Sequence, residues 1–318
     1  MIVRHGLETV PPGRRAIAIG SFDGVHLGHR RVIAAAVGAA ADAGLTSAAV
    51  TFQPHPMRLL RPEQAPDELS TLDRQAELTS LLGLDELVVI RFTPELSLIP
   101  ADEFAVGVVA GVLGARLVFV GGNFRYGHRA QGTTETLSAR GRTLGFEVEV
   151  VPMLEIDGAP VSSSRIRELL GRGEVEAAAR LLGRAPWVEG MVVRGDGRGR
   201  EIGVPTANLQ LEQHTVRPAT GIYAGRAHLP GEDHVAAISV GSNPTFSDGG
   251  DRIRVEAHLL DFDGDVYGRP IRLEFTHRLR DELRFDSVDA LVEQMGRDIA
   301  MTRQLAGADV GGGAGSAA

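Results

Sequence analysis

The chain has 318 residues, 43% of them hydrophobic, and a formal net charge of −8 at pH 7: enough apolar material for two cores, and the wrong sign for a nucleic-acid partner. It contains no cysteine, which excludes disulfide frameworks, thiolate metal sites and cysteine nucleophiles, and all 33 of its Lys-plus-Arg positions are arginine, which excludes a catalytic lysine. No apolar run approaches the roughly 18 to 20 residues of a bilayer span, so a cytoplasmic protein with no membrane partner is expected.

From residue 16 to about 151, short apolar runs alternate with helical patterns. AIAIG, TSAAVTF, ELVVIRF, RLVFVGG and FEVEVVP read as strands, and residues 30–43, 71–82, 104–113 and 134–144 as helices. Strands apolar on both faces and separated by helices predict a parallel sheet covered on both sides, a Rossmann-like doubly wound α/β domain. Helical stretches at 163–171 and 174–182 complete this domain, whose boundary is read at residue 183. Beyond Pro186 the period becomes strand-like: WVEGMVV, GIYAGRAHL, VAAISVG, RIRVEAHLLDF and IRLEFTHRL follow one another with turn residues between. This predicts an antiparallel β-barrel domain over 184–306, closed by a helix at 288–305. Residues 307–318, ending in Gly, Ala and Ser, read as a disordered tail.

The run GSFDGVHLGH, from Gly20 to His29, follows the first of these strands and opens a helix. A glycine-rich turn at a helix N-terminus gathers unpaired N–H groups and the positive end of the dipole, which suits a phosphate. His26 and His29, with Gly28 between them, can face one anion, although a turn and a histidine pair of this kind also serve as caps and packing groups. TFQPHP, with His55, ends the second strand, where ligands of open sheets bind. VSSSRIR, with Ser163, Ser164 and Arg167, opens another helix with hydroxyls and arginines.

Together with VGGNFRYGHRAQG at 120–132, these segments resemble, in order and spacing, the signatures of the FMN adenylyltransferase module of bacterial bifunctional riboflavin kinase/FAD synthetases. The resemblance implies that His26 and His29 contact ATP phosphates as the catalytic pair. It also implies that Gly20, Phe22, Asp23, Gly24 and Gly28 surround the nucleotide, that Ser163, Ser164 and Arg167 hold the triphosphate, and that His55, Asn123, Phe124 and Arg125 line the flavin pocket.

In the second half, the loop RGDGRGR at 194–200 leads to IGVPTAN at 202–208. Dense glycines let amides wrap phosphates, and Thr206 and Asn208 offer neutral oxygens to a hard cation such as Mg2+; a solvated hairpin has the same composition. Period two in RVEAHLLD puts Arg254, Glu256 and His258 on one face and Val255, Ala257 and Leu259 on the other. By itself Glu256 is either a base or an ordinary solvent-facing carboxylate. GRAP, GREIGVPTANL, GIYAG, VGSNPTF, VEAHLLDFDGDVYG and LRDELRFDSVDALVEQMGRD are similar, in order, to the riboflavin kinase module of the same family. That similarity implies that Gly203, Thr206 and Asn208 bind ATP, the latter two with its Mg2+, and that Glu256 is the catalytic base. The expected chemistry is riboflavin and ATP to FMN, then FMN and a second ATP to FAD. The expected partners are small molecules alone. An enzyme with one live half, a flavin-sensing protein without turnover, and a nucleotidyltransferase that passes AMP to another phosphate such as that of phosphopantetheine are the competing readings.

Overall fold

A computed structural model describes residues 1–195, 199, 202–242 and 253–312. Most of the glycine–arginine loop (196–198, 200 and 201), the stretch 243–252 that includes NPTF, and the end from 313 lie outside the described residues. The chain divides into two compact units, Met1–Ser163 and Ser164–Ala318.

In the first unit, β1 (Ile2–His5), β2 (Arg15–Ile19), β3 (Thr46–Gln53), β4 (Glu86–Arg91), β5 (Ala115–Gly121) and β6 (Glu147–Val151) form one sheet in the order β1-β4-β3-β2-β5-β6. Every pairing is parallel. The continuous apolar runs are explained by two covered faces. Ile17, Ile19, Val50, Val88 and Ile90 join one core with Phe104, Val109 and Leu137, while their neighbours Ala16, Ala18, Ala49, Leu87 and Val89 join a second with Ile33 and Ala36. The doubly wound expectation therefore holds. β2 lies between β3 and β5, and the chain winds from it to β3 and β4 on one side before returning to β5 on the other. Its carboxyl end is the topological switch point, where such sheets bind ligands.

Two features depart from the sequence reading. β1 carries no sequence signal, because IVRH is too short and too exposed to show a period; pairing with β4 and the reach of Arg4 to Glu86 at 2.8 Å fix it. The helix expected at 104–113 is wound as a π-helix over Phe104–Val112, with Leu113 N–H donating to Val108 O at 2.9 Å. FAVGVVAGV is rich in valine and glycine, both weaker α-formers than alanine or leucine, so the wider turn costs less here.

A short antiparallel pair, β7 (Glu155–Ile156) and β8 (Ala159–Pro160), follows the sheet. In the second unit, β9 (Trp187–Val193), β10 (Ala207–Leu211), β11 (Gly221–Leu229), β12 (Glu232–Ser242), β13 (Ile253–Leu259) and β14 (Pro270–Arg280) close an antiparallel barrel in the order β10-β13-β12-β11-β14-β9. Alternate residues fill it: Val255, Ala257 and Leu259 from β13, and Ile271, Leu273 and Phe275 from β14, with Tyr223 edge-on to Phe275 at 5.3 Å. β10 carries no strand signal in the sequence, because ANLQL follows a glycine-rich run and looks like its continuation. Helices Ser163–Gly171 and Val175–Leu182 pack on the barrel. Ala219 N–H donates to Leu170 O at 2.8 Å, Arg278 Nη1 to Arg172 O at 2.8 Å, and Arg278 N–H to Glu176 at 3.2 Å. A change of period marks where strands begin and says nothing of where contacts divide.

The closing helix, Val288–Gly312, is latched to β14 by Arg280, whose Nε and Nη2 meet Asp298 at 3.0 and 2.6 Å. It runs past Leu305, so residues 307–312, expected in the tail, are helical.

Candidate active sites

The turn after β2 is shaped by what it buries. Phe22 and Val25 have φ of 49° and 39°, a left-handed backbone that bulky residues adopt only when their surroundings impose it, and both are buried. Buried Asp23 accepts from Leu69 N–H at 2.9 Å and Ser70 N–H at 3.1 Å, and the Ser70 hydroxyl accepts from Gly24 N–H at 2.9 Å. The Asp23 carboxylate thus ties the turn to residues 69 and 70. Ser163 Oγ donates to Asp23 O at 3.0 Å, and Thr51 Oγ1 to Ser21 O at 2.9 Å. Gly20 lies under the Phe22 ring, where a Cβ would stand 3.1 Å from Cε1.

His26 caps the helix Leu27–Ala43, its Nδ1 accepting from His29 N–H at 3.2 Å. A ring nitrogen that accepts carries no proton, so neutral His26 is protonated on Nε2, the kind of donor a phosphate oxygen requires. The His26 and His29 rings stack with centroids 3.5 Å apart. Gly28 permits this: a Cβ there would stand 3.1 Å from His26 Cε1 and 3.5 Å from Val161 O. Two imidazoles and a glycine-rich turn at the N-terminus of a 17-residue helix are chemically suited to an anion.

Because β3 and β5 flank β2 in parallel, the loops that follow them emerge on the same edge of the sheet. After β3, His55 caps the short helix Pro56–Leu60 with Nδ1 accepting from Met57 N–H at 3.2 Å, which again puts the proton of the neutral ring on Nε2. After β5, Phe124 N–H donates to Gly121 O at 3.0 Å, and the Phe124 ring stacks on buried Tyr126 with centroids 5.7 Å apart. Asn123 and Arg125, on either side of it, are exposed. The fold thus collects Gly20 to His29, His55 and Asn123 to Arg125 on three neighbouring strand ends. Ser164 and Arg167 stand at the start of helix Ser163–Gly171, in the second unit. Leu69 and Ser70, which clamp the turn, carry no local signal that sequence reasoning could have used.

The second site forms where β10 meets β13. Their register sets Asn208 opposite Glu256 and Ala207 opposite Ala257. Thr206, one residue before β10, donates its hydroxyl to Glu256 Oε2 at 3.1 Å. Glu256 and His258 are half-buried between the buried Val255, Ala257 and Leu259, as period two required. His258 Nδ1 lies 2.8 Å from Pro205 O. Gly203, at φ 81°, turns the chain towards this strand, and Val204 N–H donates to Gly199 O at 2.8 Å.

The glycines of the preceding loop press on the polar side chains. A Cβ at Gly195 would overlap the Asn208 amide, standing 2.7 Å from its Cγ, and one at Gly199 would overlap Val204 O and come within 3.4 Å of Thr206 Oγ1. A cavity of about 370 Å³ opens here, lined by Gly195, Gly199, Thr206 and Asn208 together with Asp263, Asp265 and Tyr267. Arg303, on the closing helix, hydrogen-bonds to Asp261 at 2.6 and 3.0 Å and holds that carboxyl below the usual carboxylate range.

A hydroxyl that donates to a carboxylate keeps its lone pairs for a cation, and Asn208 supplies a second neutral oxygen. Among the described residues no group of three or more His, Asp or Glu could form a metal cage. A hard cation at Thr206 and Asn208 would therefore draw most of its ligands from phosphate and water, as Mg2+ commonly does.

A family model described as FAD synthetase matches residues 10–165, and one described as riboflavin kinase matches residues 182–306. The bifunctional riboflavin kinase/FMN adenylyltransferase of Pseudomonas fluorescens is 36% identical over 304 residues, covering 95% of this chain and 97% of that protein. The protein of the same description from Bacillus subtilis (strain 168) is 35% identical, covering 92% and 93%. A solved structure described as a macrolide-efflux protein from Streptococcus pneumoniae superposes with a TM-score of 0.86 at 32% identity, covering 95% of this chain and 99% of that one. In this chain no helix among the described residues is long and apolar enough to cross a membrane.

Proposed function

The chain belongs to the bifunctional riboflavin kinase/FMN adenylyltransferase family, and from that premise we propose that its second unit converts riboflavin and ATP to FMN and ADP. The first unit then converts FMN and ATP to FAD and diphosphate. One observation carries the reading furthest: the Glu256 carboxylate accepts a hydrogen bond from Thr206, a residue that lines a polar cavity within the half matching riboflavin kinase.

The two steps make different demands. An alcohol is a poor nucleophile until its proton leaves. Glu256 takes the proton of the ribityl 5′-hydroxyl as that oxygen bonds to the γ-phosphorus of ATP and the bond to the ADP oxygen breaks. Thr206 holds the carboxylate in place. The turn at Gly203, with Thr206 and Asn208, binds the nucleotide together with a Mg2+ ion, which when bound offsets the negative charge of the phosphates.

In the first unit the nucleophile is the FMN phosphate, already ionised at neutral pH. No base is required. The demand is for charge stabilisation as the FMN oxygen bonds to the α-phosphorus and diphosphate leaves. The Nε2–H of His26, the ring of His29 and the amides between Gly20 and Gly28 answer it, with Ser163 on the triphosphate and His55, Asn123, Phe124 and Arg125 around the flavin. The setting is the cytoplasm, and the partners are small molecules.

The test is chromatography of flavins, sampled through time, from the purified chain with riboflavin, ATP and Mg2+. FMN rising before FAD is expected. A chain that forms no FMN from riboflavin and no FAD from supplied FMN overturns the reading, and flavin binding without ATP consumption would favour a sensor.

A further inference from the structure

His258 is two residues from Glu256 on β13, on the same half-buried face, and it makes a contact that the chemistry above does not use. Its Nδ1 stands 2.8 Å from the carbonyl oxygen of Pro205. A carbonyl only accepts, so Nδ1 carries a proton and donates. Proline has no N–H, which leaves this carbonyl as the one backbone group of residue 205 able to hydrogen-bond. The carbonyl belongs to the planar peptide joining Pro205 to Thr206, so gripping the oxygen fixes the plane from which Thr206 projects.

That grip falls where the ladder gives out. The pairing of β10 with β13 runs over Ala207 to Leu209 against Ala257 to Val255. Thr206 lies one residue beyond it, opposite His258, where strand ends open most easily. Yet Thr206 must be held within hydrogen-bond reach of Glu256. We propose that His258 is a positioning residue of the phosphoryl-transfer site: its Nδ1–H clasps the Pro205 carbonyl beyond the end of the ladder and so seats Thr206 against Glu256. The inference rests on the kinase reading of this unit and adds to it a residue that acts through Thr206 without touching substrate.

The test uses the full chain and a replacement series. In His258→Asn the amide nitrogen occupies the place of Nδ1, in His258→Gln it falls nearer that of Nε2, and His258→Leu has no donor. Riboflavin phosphorylation by His258→Leu and His258→Gln is expected to fall about tenfold or more, the scale on which small misplacements act, and His258→Asn is expected to recover most of the rate. The loss should appear mainly in kcat, with the KM for riboflavin nearly unchanged. In a Thr206→Val background the further loss from His258→Leu should vanish, because a residue that acts through Thr206 has nothing left to act on. FAD formation from supplied FMN in the same preparations reports on the integrity of the chain. Should His258→Leu fail to fold, the Asn and Gln variants carry the comparison. Equal rates for Asn and Gln, wild-type turnover by the Leu variant, or the same fold-loss with and without the Thr206 hydroxyl would each overturn the positioning role. A wild-type chain that makes no FMN would instead overturn the kinase reading on which it rests.

Discussion

The Thr206 hydroxyl and the Glu256 carboxylate are 50 residues apart in sequence and 3.1 Å apart in space. The link is made by a strand pairing that sets Asn208 opposite Glu256, so the Glu256 carboxylate and the neutral oxygens of Thr206 and Asn208 are brought together through one register. A slip of one residue would send Glu256 into the barrel core and expose Ala257.

Replacement of Glu256 by Gln should therefore separate the two activities. The amide keeps the shape and the hydrogen bond to Thr206 but cannot accept a proton, and loss of a general base typically costs about 10²- to 10⁴-fold. Riboflavin phosphorylation should fall by that amount while FAD formation from supplied FMN is unchanged. Riboflavin phosphorylation at the wild-type rate would remove the base assignment.

A methyl group at Gly195 should act on the same site from the other side. Its Cβ would overlap the Asn208 amide, so Gly195→Ala must move either the loop or the Asn208 side chain. The expected outcome is a kinase with a raised KM for ATP, measured by initial rates at varied nucleotide, in a chain that still adenylylates FMN. A methyl group at Gly231, whose added Cβ would meet nothing within 4 Å, is the control for crowding, although its φ of 86° makes that variant slightly strained.

Adenylyl transfer should depend on His26 and His29 and leave the kinase alone. Removal of one charge-stabilising donor costs about 10²- to 10³-fold, so His29→Ala is expected to abolish most FAD formation from FMN while FMN still forms from riboflavin. Asp23→Ala should behave differently. It leaves the N–H groups of Leu69 and Ser70 without the carboxylate they donate to, at about 1–3 kcal/mol for the buried groups, so thermal stability of the first unit should fall together with activity. If Asp23→Ala lost adenylyl transfer with an unaltered melting transition, its carboxylate would act on substrate and not as the clamp of the turn.

What could be read from the amino-acid order, and what could not, follows from range. The parallel sheet was legible because Ile17 and Ala18 are both apolar and face opposite cores, so no alternation appears in the string. Glu256 and His258 were legible on one face because period two is a local property. The Thr206–Glu256 contact, the grip of His258 on Pro205 and the clamp of Asp23 on residues 69 and 70 were not, since each joins segments tens of residues apart whose pairing no local pattern encodes. β10 is hidden for the opposite reason: a glycine-rich sequence adjoins it and masks a strand of five residues.

The last prediction concerns pH and lies far from either site. Glu86, at the start of β4, is buried with Arg15, whose Nε donates to it at 2.8 Å, while Arg4 donates to its other oxygen at 2.8 Å. Burial alone would raise the Glu86 pKa, but the hydrogen bonds and charges of Arg15 and Arg4 outweigh it and lower the value below its ordinary 4.5. A carboxyl whose folded pKa lies below its unfolded one binds more protons when unfolded. Its contribution is therefore fully present above the unfolded pKa and is lost as pH falls through the folded one. Stability of the first unit should hold from neutral pH to about 4.5 and decline below it. Glu86→Gln should remove that part of the acid dependence and, by leaving Arg15 buried without a carboxylate, destabilise the unit by about 3–5 kcal/mol at pH 7. Chemical denaturation of wild type and variant at pH 7, 5 and 3.5 measures both effects. If the difference between the two proteins failed to shrink in acid, the ion pairs around Glu86 would not be what holds β1 and β2 to the start of β4.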